Sequence, residues 1–351
     1  MMKIASLKQV NELETKYNVV KKDNEISLLN KEKQIQETEL EKRRAWVIFF
    51  ISIAAFFIFI AFMVIRNNVK RKRANILLLK LNREILSQKK ETEFQKAIVE
   101  EKNKDILDSI HYAKRLQDAI LPTVKQIKEK LPESFILYKP KDVVAGDFYW
   151  MESVNDLTLF AAADCTGHGV PGALVSVVCS NALNRTVKEF HITDTGKILD
   201  KVTQLILETF EKSESEVKDG MDISLCCLNR KTNQLNWSGA NNPLWFFSNG
   251  EMKEIAPNKQ TVGKNENYTP FQSHSVTLNK GDSVYLFTDG FADQFGGPKG
   301  KKFMYKQLKE LFQLNATRKM DEQQKALNLA FENWKGGNEQ VDDLLVFGIR
   351  I

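Results

Sequence analysis

The chain has 351 residues, of which 42% are hydrophobic and 27% are charged, so it can bury one large core or two smaller ones and is not a disordered protein. The formal net charge of +6 comes from 51 basic and 45 acidic residues that are interleaved along most of the chain, and we therefore expect no nucleic-acid partner. The four cysteines have neither disulfide nor zinc-site spacing, which favours a reducing compartment and argues against zinc.

The N-terminal part predicts a charged amphipathic helical segment over residues 1–45 and a membrane-spanning helix over residues 46–65. The second segment, WVIFFISIAAFFIFIAFMVI, matches the thickness of a bilayer core, and Ser52 is its only polar residue. Fourteen of its residues are Ile, Phe or Val, which favours insertion by about 4–8 kcal/mol. A buried core helix would be shorter, and a secretory signal would begin near Met1 and end in a small-residue cleavage site.

Flanking charge predicts the orientation of this span. Residues 26–45 contain five Lys or Arg, whereas residues 66–85 contain seven, five of them in RNNVKRKR. Positive charge accumulates on the cytoplasmic side of a membrane. The sequence thus predicts a single-pass inner-membrane protein whose C-terminal part is cytoplasmic.

A linker helix is predicted over residues 66–122, ending at Pro122 because proline stops the preceding helix. One position of its heptad is mostly apolar, in the series Leu78, Ile85, Thr92, Val99, Ile106, Ala113 and Ile120. A coiled coil needs a second apolar position in each heptad, and here that position holds polar residues in the middle of the helix. The apolar interface of a coiled coil is therefore incomplete. The pattern fits a weak parallel coiled coil that joins two protomers, or a solvated connector helix with one apolar stripe. We expect a homodimer formed through this helix.

After Pro132 the sequence predicts an α+β domain with antiparallel sheets. Short strand-like runs lie at 135–138, 157–163, 223–228, 244–247, 283–287 and 344–349. Helical stretches lie near 172–189, 196–216, 304–314 and 321–334. Strands in consecutive runs, with the helices inserted as blocks, are typical of antiparallel rather than parallel sheets.

Aspartates recur at the ends of these strands, namely Asp147, Asp164, Asp289, and the pair Asp342 and Asp343. Each alone is an ordinary turn residue. Several carboxylates meeting at one place would repel one another, and hard divalent cations remove that repulsion. Oxygen ligands without histidine or thiolate suit Mg²⁺ or Mn²⁺. Two such ions can lower the pKa of a water molecule and direct it at a phosphate ester.

Four motifs occur in a familiar order, GDFYW, DCTGHGVPGA, FTDGFADQFGG and VDDLLVFGI. With them, residues 130–351 resemble the metal-dependent serine/threonine phosphatases of the PPM (PP2C-like) superfamily, specifically its SpoIIE-like bacterial branch. The resemblance implies a sandwich of two antiparallel β-sheets flanked by helices, two Mn²⁺ or Mg²⁺ ions at one edge, and a phosphorylated regulatory protein as substrate. The activity implied is hydrolysis of phosphoserine or phosphothreonine by a hydroxide held at the two-metal centre.

Site residues follow from the same resemblance. Asp164 would bridge both metals and the backbone carbonyl of Cys165 would add an oxygen ligand. Asp289 and Asp342 would complete the second metal site, with Asp343 as the alternative to Asp342. The resemblance implies that Asp147 binds directly or through water, and that catalysis depends on Asp147, Asp164 and Asp289.

The chain also departs from the family pattern. No arginine lies between Arg115 and Arg185, although the wider superfamily uses an arginine near the first motif to hold the substrate phosphate. His168 is either a general acid or a residue that stabilises the glycine turn. Asn241 and Asn242 either contact substrate or form an ordinary Asn-Asn-Pro turn.

Three other functions remain open on the sequence alone. A membrane span, a coiled coil and His111 in a helix are also the layout of a sensor histidine kinase, although the ATP-binding boxes of that class are missing after residue 130. A nucleotide cyclase also uses paired aspartates and metals behind a coiled coil. A catalytically inactive scaffold would bind phosphoproteins without turnover, but the retained acids argue against it.

Overall fold

The computed structural model describes residues 2–211 and 219–351, with side chains from residue 9 onward. The chain divides into two compact units, one ending at Val99 and the other comprising Glu100–Ile351. Helix α1 is assigned from Met2 to Ile120. The first unit is therefore entirely helical in its described part.

The segment 46–65 lies within α1 and leaves its large apolar side chains exposed, with Ile58 at 70% and Trp46 at 60% of their full accessibility. In the described residues, one helix is long and apolar enough to cross a membrane. An exposed apolar surface of this length is stable in lipid and unfavourable in water. The segment is therefore a membrane-span candidate.

The second unit combines the end of α1 with six further helices and twelve strands. The helices are α2 (Val124–Lys130), α3 (Gly169–Lys188), α4 (Thr195–Phe210), α5 (Gly290–Asp293), α6 (Tyr305–Asn315) and α7 (Met320–Lys335). The strands are β1 (Ser134–Lys139), β2 (Phe148–Val154), β3 (Leu157–Cys165), β4 (Met221–Asn229), β5 (Gln234–Ala240), β6 (Leu244–Ser248), β7 (Glu251–Ile255), β8 (His274–Thr277), β9 (Ser283–Phe287), β10 (Phe295–Gly296), β11 (Lys301–Lys302) and β12 (Leu344–Arg350).

Ten of these strands form two five-stranded sheets, ordered β1-β12-β9-β6-β7 and β2-β3-β4-β5-β8, and β10 and β11 form a separate hairpin. Every pairing between named strands is antiparallel. The predicted fold class, two antiparallel sheets with helices in the PPM arrangement, is confirmed.

The two sheets pack face to face, and each carries helices on its outer face. In β3, Leu159 and Ala161 belong to the apolar cluster shared with α3 and α4. The alternate residues Phe160 and Ala162 belong to the cluster between the sheets. A third cluster joins the other sheet to α5, α6 and α7. Because β3 is buried on both faces, its sequence is an unbroken apolar run rather than an alternating one.

One buried glutamine anchors the last turns of α1 to the sheets and helices of the second unit. Gln117 Nε2 donates to Ala145 O at 2.6 Å and to Ser176 Oγ at 3.0 Å. Its Oε1 accepts from Ala145 N at 3.1 Å. One amide thus satisfies both backbone groups of Ala145, just before Asp147, and also contacts α3.

Most predicted elements lie within a few residues of those observed. The helix expected from residue 172 begins at Gly169, and the helix expected over 196–216 is seen as Thr195–Phe210, while residues 212–218 lie outside the described part. The predicted strand-like runs do not include β2, β5, β7, β8, β10 or β11. β7 and β8 are short, partly exposed edge strands with little apolar alternation, so the sequence signal is weak.

Candidate metal centre

Three strand ends and one helix start bring the aspartates of the four motifs to one edge of the sandwich. Asp147 directly precedes β2, and the pairing of Phe148 with Ala163 brings it beside Asp164 near the end of β3. Asp289 is the N-cap of α5, two residues after β9 ends. Asp342 and Asp343 precede β12, whose pairing with β9 brings them close to Asp289.

Thr288 joins the two sheets at this edge. Its buried hydroxyl donates to Asp147 Oδ2 at 2.6 Å and accepts from Leu345 N at 3.0 Å. The threonine therefore orients the Asp147 carboxylate and links it to β12. Sequence reasoning missed this role, because the Thr-Asp-Gly motif draws attention to the acid rather than to the threonine before it.

Burial and mutual repulsion raise the pKa values of these acids. Burial, and then the charge of Asp164, raise the pKa of Asp147 well above its usual range. Burial, followed by the charges of Asp289 and Asp342, raises the pKa of Asp164 to about 8. Asp147 and Asp164 therefore influence each other's pKa values. Two neighbouring carboxyl groups cannot both ionise at little cost unless a positive charge compensates them.

Asp289 belongs to the same electrostatic group. Burial, and then the charges of Asp342 and Asp293, raise the pKa of Asp289 to about 6, while Lys302 lowers it. Asp342 thus lies within electrostatic range of both Asp164 and Asp289. The structure brings Asp147, Asp164, Asp289 and Asp342 together.

Asp343 occupies a different position from Asp342. It is buried, and its carboxylate accepts from the backbone N–H of Lys141 at 2.7 Å, Gly146 at 2.7 Å and Asp147 at 3.4 Å. Burial raises the pKa of Asp343, and these three hydrogen bonds counteract the rise. Its oxygens are already used in holding the loop that carries Asp147. The geometry thus favours Asp342 over Asp343 as a candidate cation ligand.

Asp222 is a further acid at this edge that sequence reasoning missed. It lies on β4, paired in register with Asp164, and raises the pKa of both Asp164 and Asp289. Asn241 Nδ2 donates to Asp222 Oδ1 at 2.9 Å. In the sequence, Asp222 is visible only as an acid near the start of an apolar strand. Its pairing with Asp164 depends on strand register, which the sequence does not reveal.

Backbone segments approach one another closely beneath the acids. A Cβ on Gly172 would lie 2.1 Å from Gly167 O, and a Cβ on Gly146 would lie 2.5 Å from the same oxygen and 3.1 Å from Cys165 O. The backbone carbonyl of Cys165 therefore faces the loop that carries Asp147. Side chains at Gly146 or Gly172 would separate that loop from the start of α3.

The remaining candidates lie around the acids. His168 Nδ1 is 3.2 Å from Asp142 Oδ2, and the imidazole is mostly exposed, which fits a residue that stabilises the turn. Asn241 positions Asp222 instead of projecting freely. Asn242 is buried, and its Nδ2 has no partner within the described residues.

The ability of these residues to bind divalent cations depends on the atoms that they offer as ligands and on the charge of their carboxylates. Across the described part of the chain, no group of three or more His, Cys, Asp or Glu side chains is already arranged to hold a metal ion. The four acids and the Cys165 carbonyl nevertheless provide only oxygen donors, the type that Mg²⁺ and Mn²⁺ prefer. A bound cation would relieve the repulsion that raises the pKa values of Asp147, Asp164 and Asp289. The residues therefore fit such cations.

Comparisons with known proteins agree with this architecture. A family model described as Stage II sporulation protein E (SpoIIE) matches residues 155–351. The solved SiaA-PP2C domain of Pseudomonas aeruginosa is similar with a TM-score of 0.65 and 32% sequence identity, over 71% of this chain and 98% of that one. No match was found among curated proteins.

Two more distant structures share the fold. The PP2C phosphatase domain with a regulatory fragment of SpoIIE from Bacillus subtilis has a TM-score of 0.51 and 16% identity, over 62% of this chain and 63% of that one. The RsbU and RsbW domains of Rv1364c from Mycobacterium tuberculosis have a TM-score of 0.50 and 19% identity, over 63% of this chain and 60% of that one.

Proposed function

The chain belongs to the SpoIIE family of PP2C-like serine/threonine phosphatases, and on that premise we propose that it is a membrane-anchored, divalent-cation-dependent protein phosphatase. Its substrate is a phosphorylated regulatory protein in a signalling pathway. The reaction breaks the ester P–O bond of phosphoserine or phosphothreonine with water, releasing inorganic phosphate and the free hydroxyl.

The convergence of Asp147, Asp164, Asp289 and Asp342 at one sheet edge is the observation that carries this proposal. Asp164 would be the central ligand of such cations, because it interacts electrostatically with Asp147, Asp289 and Asp342. The Cys165 carbonyl adds a neutral donor. Bound there, Mn²⁺ or Mg²⁺ would neutralise the substrate phosphate and lower the pKa of the attacking water.

In this proposal, other side chains of the protein hold Asp147 and its loop in position. The Thr288 hydroxyl donates to one oxygen of Asp147 and so holds this carboxylate in one orientation. Asp343 keeps the loop of Asp147 in place through its three backbone hydrogen bonds. Hydrogen bonds within the chain hold these groups in place, which is the preorganisation that catalysis requires.

A covalent cysteine mechanism does not fit the site. Burial, and then contact with Cys179, raise the pKa of the Cys165 thiol well above its usual range. The thiol therefore stays protonated and is a poor nucleophile. Direct transfer to water is the mechanism that these residues support.

We further propose that residues 46–65 cross the inner membrane once, with the phosphatase unit in the cytoplasm, and that the linker helix joins two protomers. The exposed apolar surface of 46–65 and the greater basic charge after it support this arrangement. His111 lies exposed on α1, and the chain's membership of a phosphatase family removes the reason to assign it a kinase role.

The test is phosphate release from phosphoserine and phosphothreonine peptides by the full chain in detergent micelles. We expect turnover with Mn²⁺ or Mg²⁺, none with EDTA, and a loss of at least about 100-fold in Asp164→Asn and Asp289→Asn. Lys253→Ala is the matched surface control. Equal turnover in EDTA, or unchanged turnover in both aspartate variants, would contradict the proposal.

A further inference from the structure

A basic hairpin lies beside the candidate metal centre and has no part in the scheme above. Residues 294–309 contain five lysines and no acidic residue, namely Lys299, Lys301, Lys302, Lys306 and Lys309. Strands β10 and β11 form this hairpin, with Phe295 opposite Lys302. The hairpin directly follows α5, whose N-cap is Asp289.

The base of the hairpin is held rigidly against the unit. Gly297 N donates to Trp334 O at 2.7 Å, and Met304 N donates to Ala292 O at 2.7 Å. Gln294 is fully buried; its Nε2 donates to Glu339 O at 3.0 Å, and its Oε1 accepts from Val341 N at 3.2 Å. A hairpin held in this way presents its side chains at fixed positions, which reduces the conformational entropy lost when a ligand binds.

Two of its lysines have charges that nothing in the described part of the chain neutralises. Lys302 donates to Asp293 Oδ2 at 2.8 Å and lies within electrostatic range of Asp289. Lys299 and Lys301 are exposed and have no acidic partner among the described residues. These two positive charges therefore face solvent on the same hairpin as Lys302.

Between these lysines lies an apolar depression. A cavity of about 680 Å³ is lined by Lys299, Lys301, Lys302, Met304, Phe295 and Trp334, with no acidic side chain among its lining residues. Phe295 is 44% exposed and Met304 is 56% exposed. Basic rims around an apolar floor complement an acidic peptide that carries an apolar side chain.

We propose that the hairpin 295–304 is the docking surface for an acidic segment of the phosphoprotein substrate, flanking the phosphorylated residue. This inference rests on the proposed phosphatase function and adds the substrate class. Lys302 pairs with Asp293, four residues after Asp289, so the base of the hairpin lies next to the helix that begins at Asp289. A substrate with its phosphate at the acids would then extend its neighbouring residues toward the hairpin. Long-range attraction of an acidic segment also increases the rate of encounter and weakens with added salt.

The test compares wild type with Lys299→Ala/Lys301→Ala, using the full chain in neutral detergent micelles with Mn²⁺. The matched control is Lys253→Ala/Lys280→Ala, which removes the same charge from exposed lysines, one on the edge strand β7 and one in the turn before β9. The substrates are phosphoserine peptides with acidic or with uncharged flanks, and p-nitrophenyl phosphate. All four lysines are exposed, so neither double variant removes a core contact.

The hairpin variant should raise KM for the acidic peptide by about 3- to 10-fold with unchanged kcat, because each exposed charge pair contributes little. Its KM for the uncharged peptide and its turnover of p-nitrophenyl phosphate should stay within about twofold of wild type. The salt dependence of the acidic-peptide KM should weaken, and the control should behave as wild type. Equal effects on both peptides, or none, would overturn the docking proposal.

A binding measurement separates this proposal from the proposed function. Fluorescence anisotropy follows binding of an acidic peptide in which a non-hydrolysable phosphonate replaces the phosphoserine. If the hairpin variant binds the peptide more weakly and the control variant does not, the docking proposal is supported even when no peptide is hydrolysed. A lack of hydrolysis contradicts only the proposed function. If the hairpin variant binds the peptide as wild type does but binds vesicles of phosphatidylglycerol more weakly, the lysines bind lipid and the docking proposal is overturned.

Discussion

At the scale of single residues, the adjacent aspartates 342 and 343 have different surroundings. Asp343 accepts three backbone N–H groups, whereas Asp342 lies within range of Asp164 and Asp289. The chain bends at Asp342, shortly before β12 begins. The sequence shows two adjacent acids, whereas the fold uses the Asp343 carboxylate to hold the loop of Asp147, and Asp342 is the acid that we propose as a cation ligand.

This difference predicts opposite phenotypes. Asp343→Ala should lower the free energy of unfolding by about 1.5–3 kcal/mol, because it leaves buried N–H groups unpaired. Asp342→Asn should keep or raise the melting temperature, because it removes repulsion, but lose metal-dependent activity. Thermal unfolding and phosphate release measured on both variants check this. The same loss of stability in both would be inconsistent with the assignment.

The crowded carboxylates also predict how pH affects the metal-free protein. The pKa of Asp164 is raised to about 8 and that of Asp289 to about 6, both above the ordinary value of 3.8. The folded state therefore binds protons more tightly than the unfolded state, and these groups make stability fall as pH rises from about 4 to about 8.

The corresponding measurement is thermal unfolding in EDTA at a series of pH values. We expect wild type to lose melting temperature between pH 6 and 8, and Asp164→Asn to show a shallower slope. Added Mn²⁺ should raise the melting temperature more at pH 8 than at pH 6, because protons compete with the cation. An identical slope in wild type and Asp164→Asn would count against repulsion at this site.

At the scale of elements, the end of α1 is connected to the loop of Asp147 through Gln117. Gln117→Ala would leave the buried N–H and C=O of Ala145 unpaired and cost about 1–3 kcal/mol of stability. Because Ala145 directly precedes Gly146 and Asp147, we also expect about a tenfold rise in the Mn²⁺ concentration for half-maximal activity. Metal titrations of phosphate release measure this.

Lys104→Ala, on the exposed surface of the same helix, is the control for that experiment. It should leave both the melting temperature and the Mn²⁺ dependence unchanged. A Gln117→Ala variant that loses stability but titrates with Mn²⁺ like wild type would separate the anchoring role of the glutamine from the candidate metal centre.

Many of the strands and helices could be predicted from the sequence, for identifiable physical reasons. Strands such as β3 and β12 are buried on both faces and appear as apolar runs, and the acids at their ends stand in glycine-rich turns. The position of Asp222 beside Asp164 and the anchoring of Gln117 depend on pairings between distant segments. Neither strand register nor tertiary contact leaves a local pattern, so these features required the structure.

At the scale of the whole molecule, the proposed span predicts where the chain is found. We expect the full chain to remain in the membrane fraction after alkaline carbonate washing, because twenty mostly apolar residues partition strongly into lipid. A chain with Ser52, Phe56 and Ile60 replaced by Lys should be released. Release of the unmodified chain by carbonate would contradict the span.

The linker helix predicts a second property, self-association. A fragment from residue 70 to residue 351 should sediment as a dimer at micromolar concentration, and Ile85→Asn/Val99→Asn should weaken the dimer by placing polar groups in the apolar stripe. Analytical ultracentrifugation distinguishes the two states. A monomeric fragment at that concentration would favour the solvated connector helix.

The single side chain of Gln294 holds the base of the lysine hairpin and, through Val341, the segment that leads into Asp342. The proposed docking surface and the candidate metal centre thus share one support. This support holds the hairpin and Asp342 at a fixed separation, so a segment bound on the hairpin would be kept at a fixed distance from the acids. The spacing between the acidic segment and the phosphorylated residue would then decide which substrates fit.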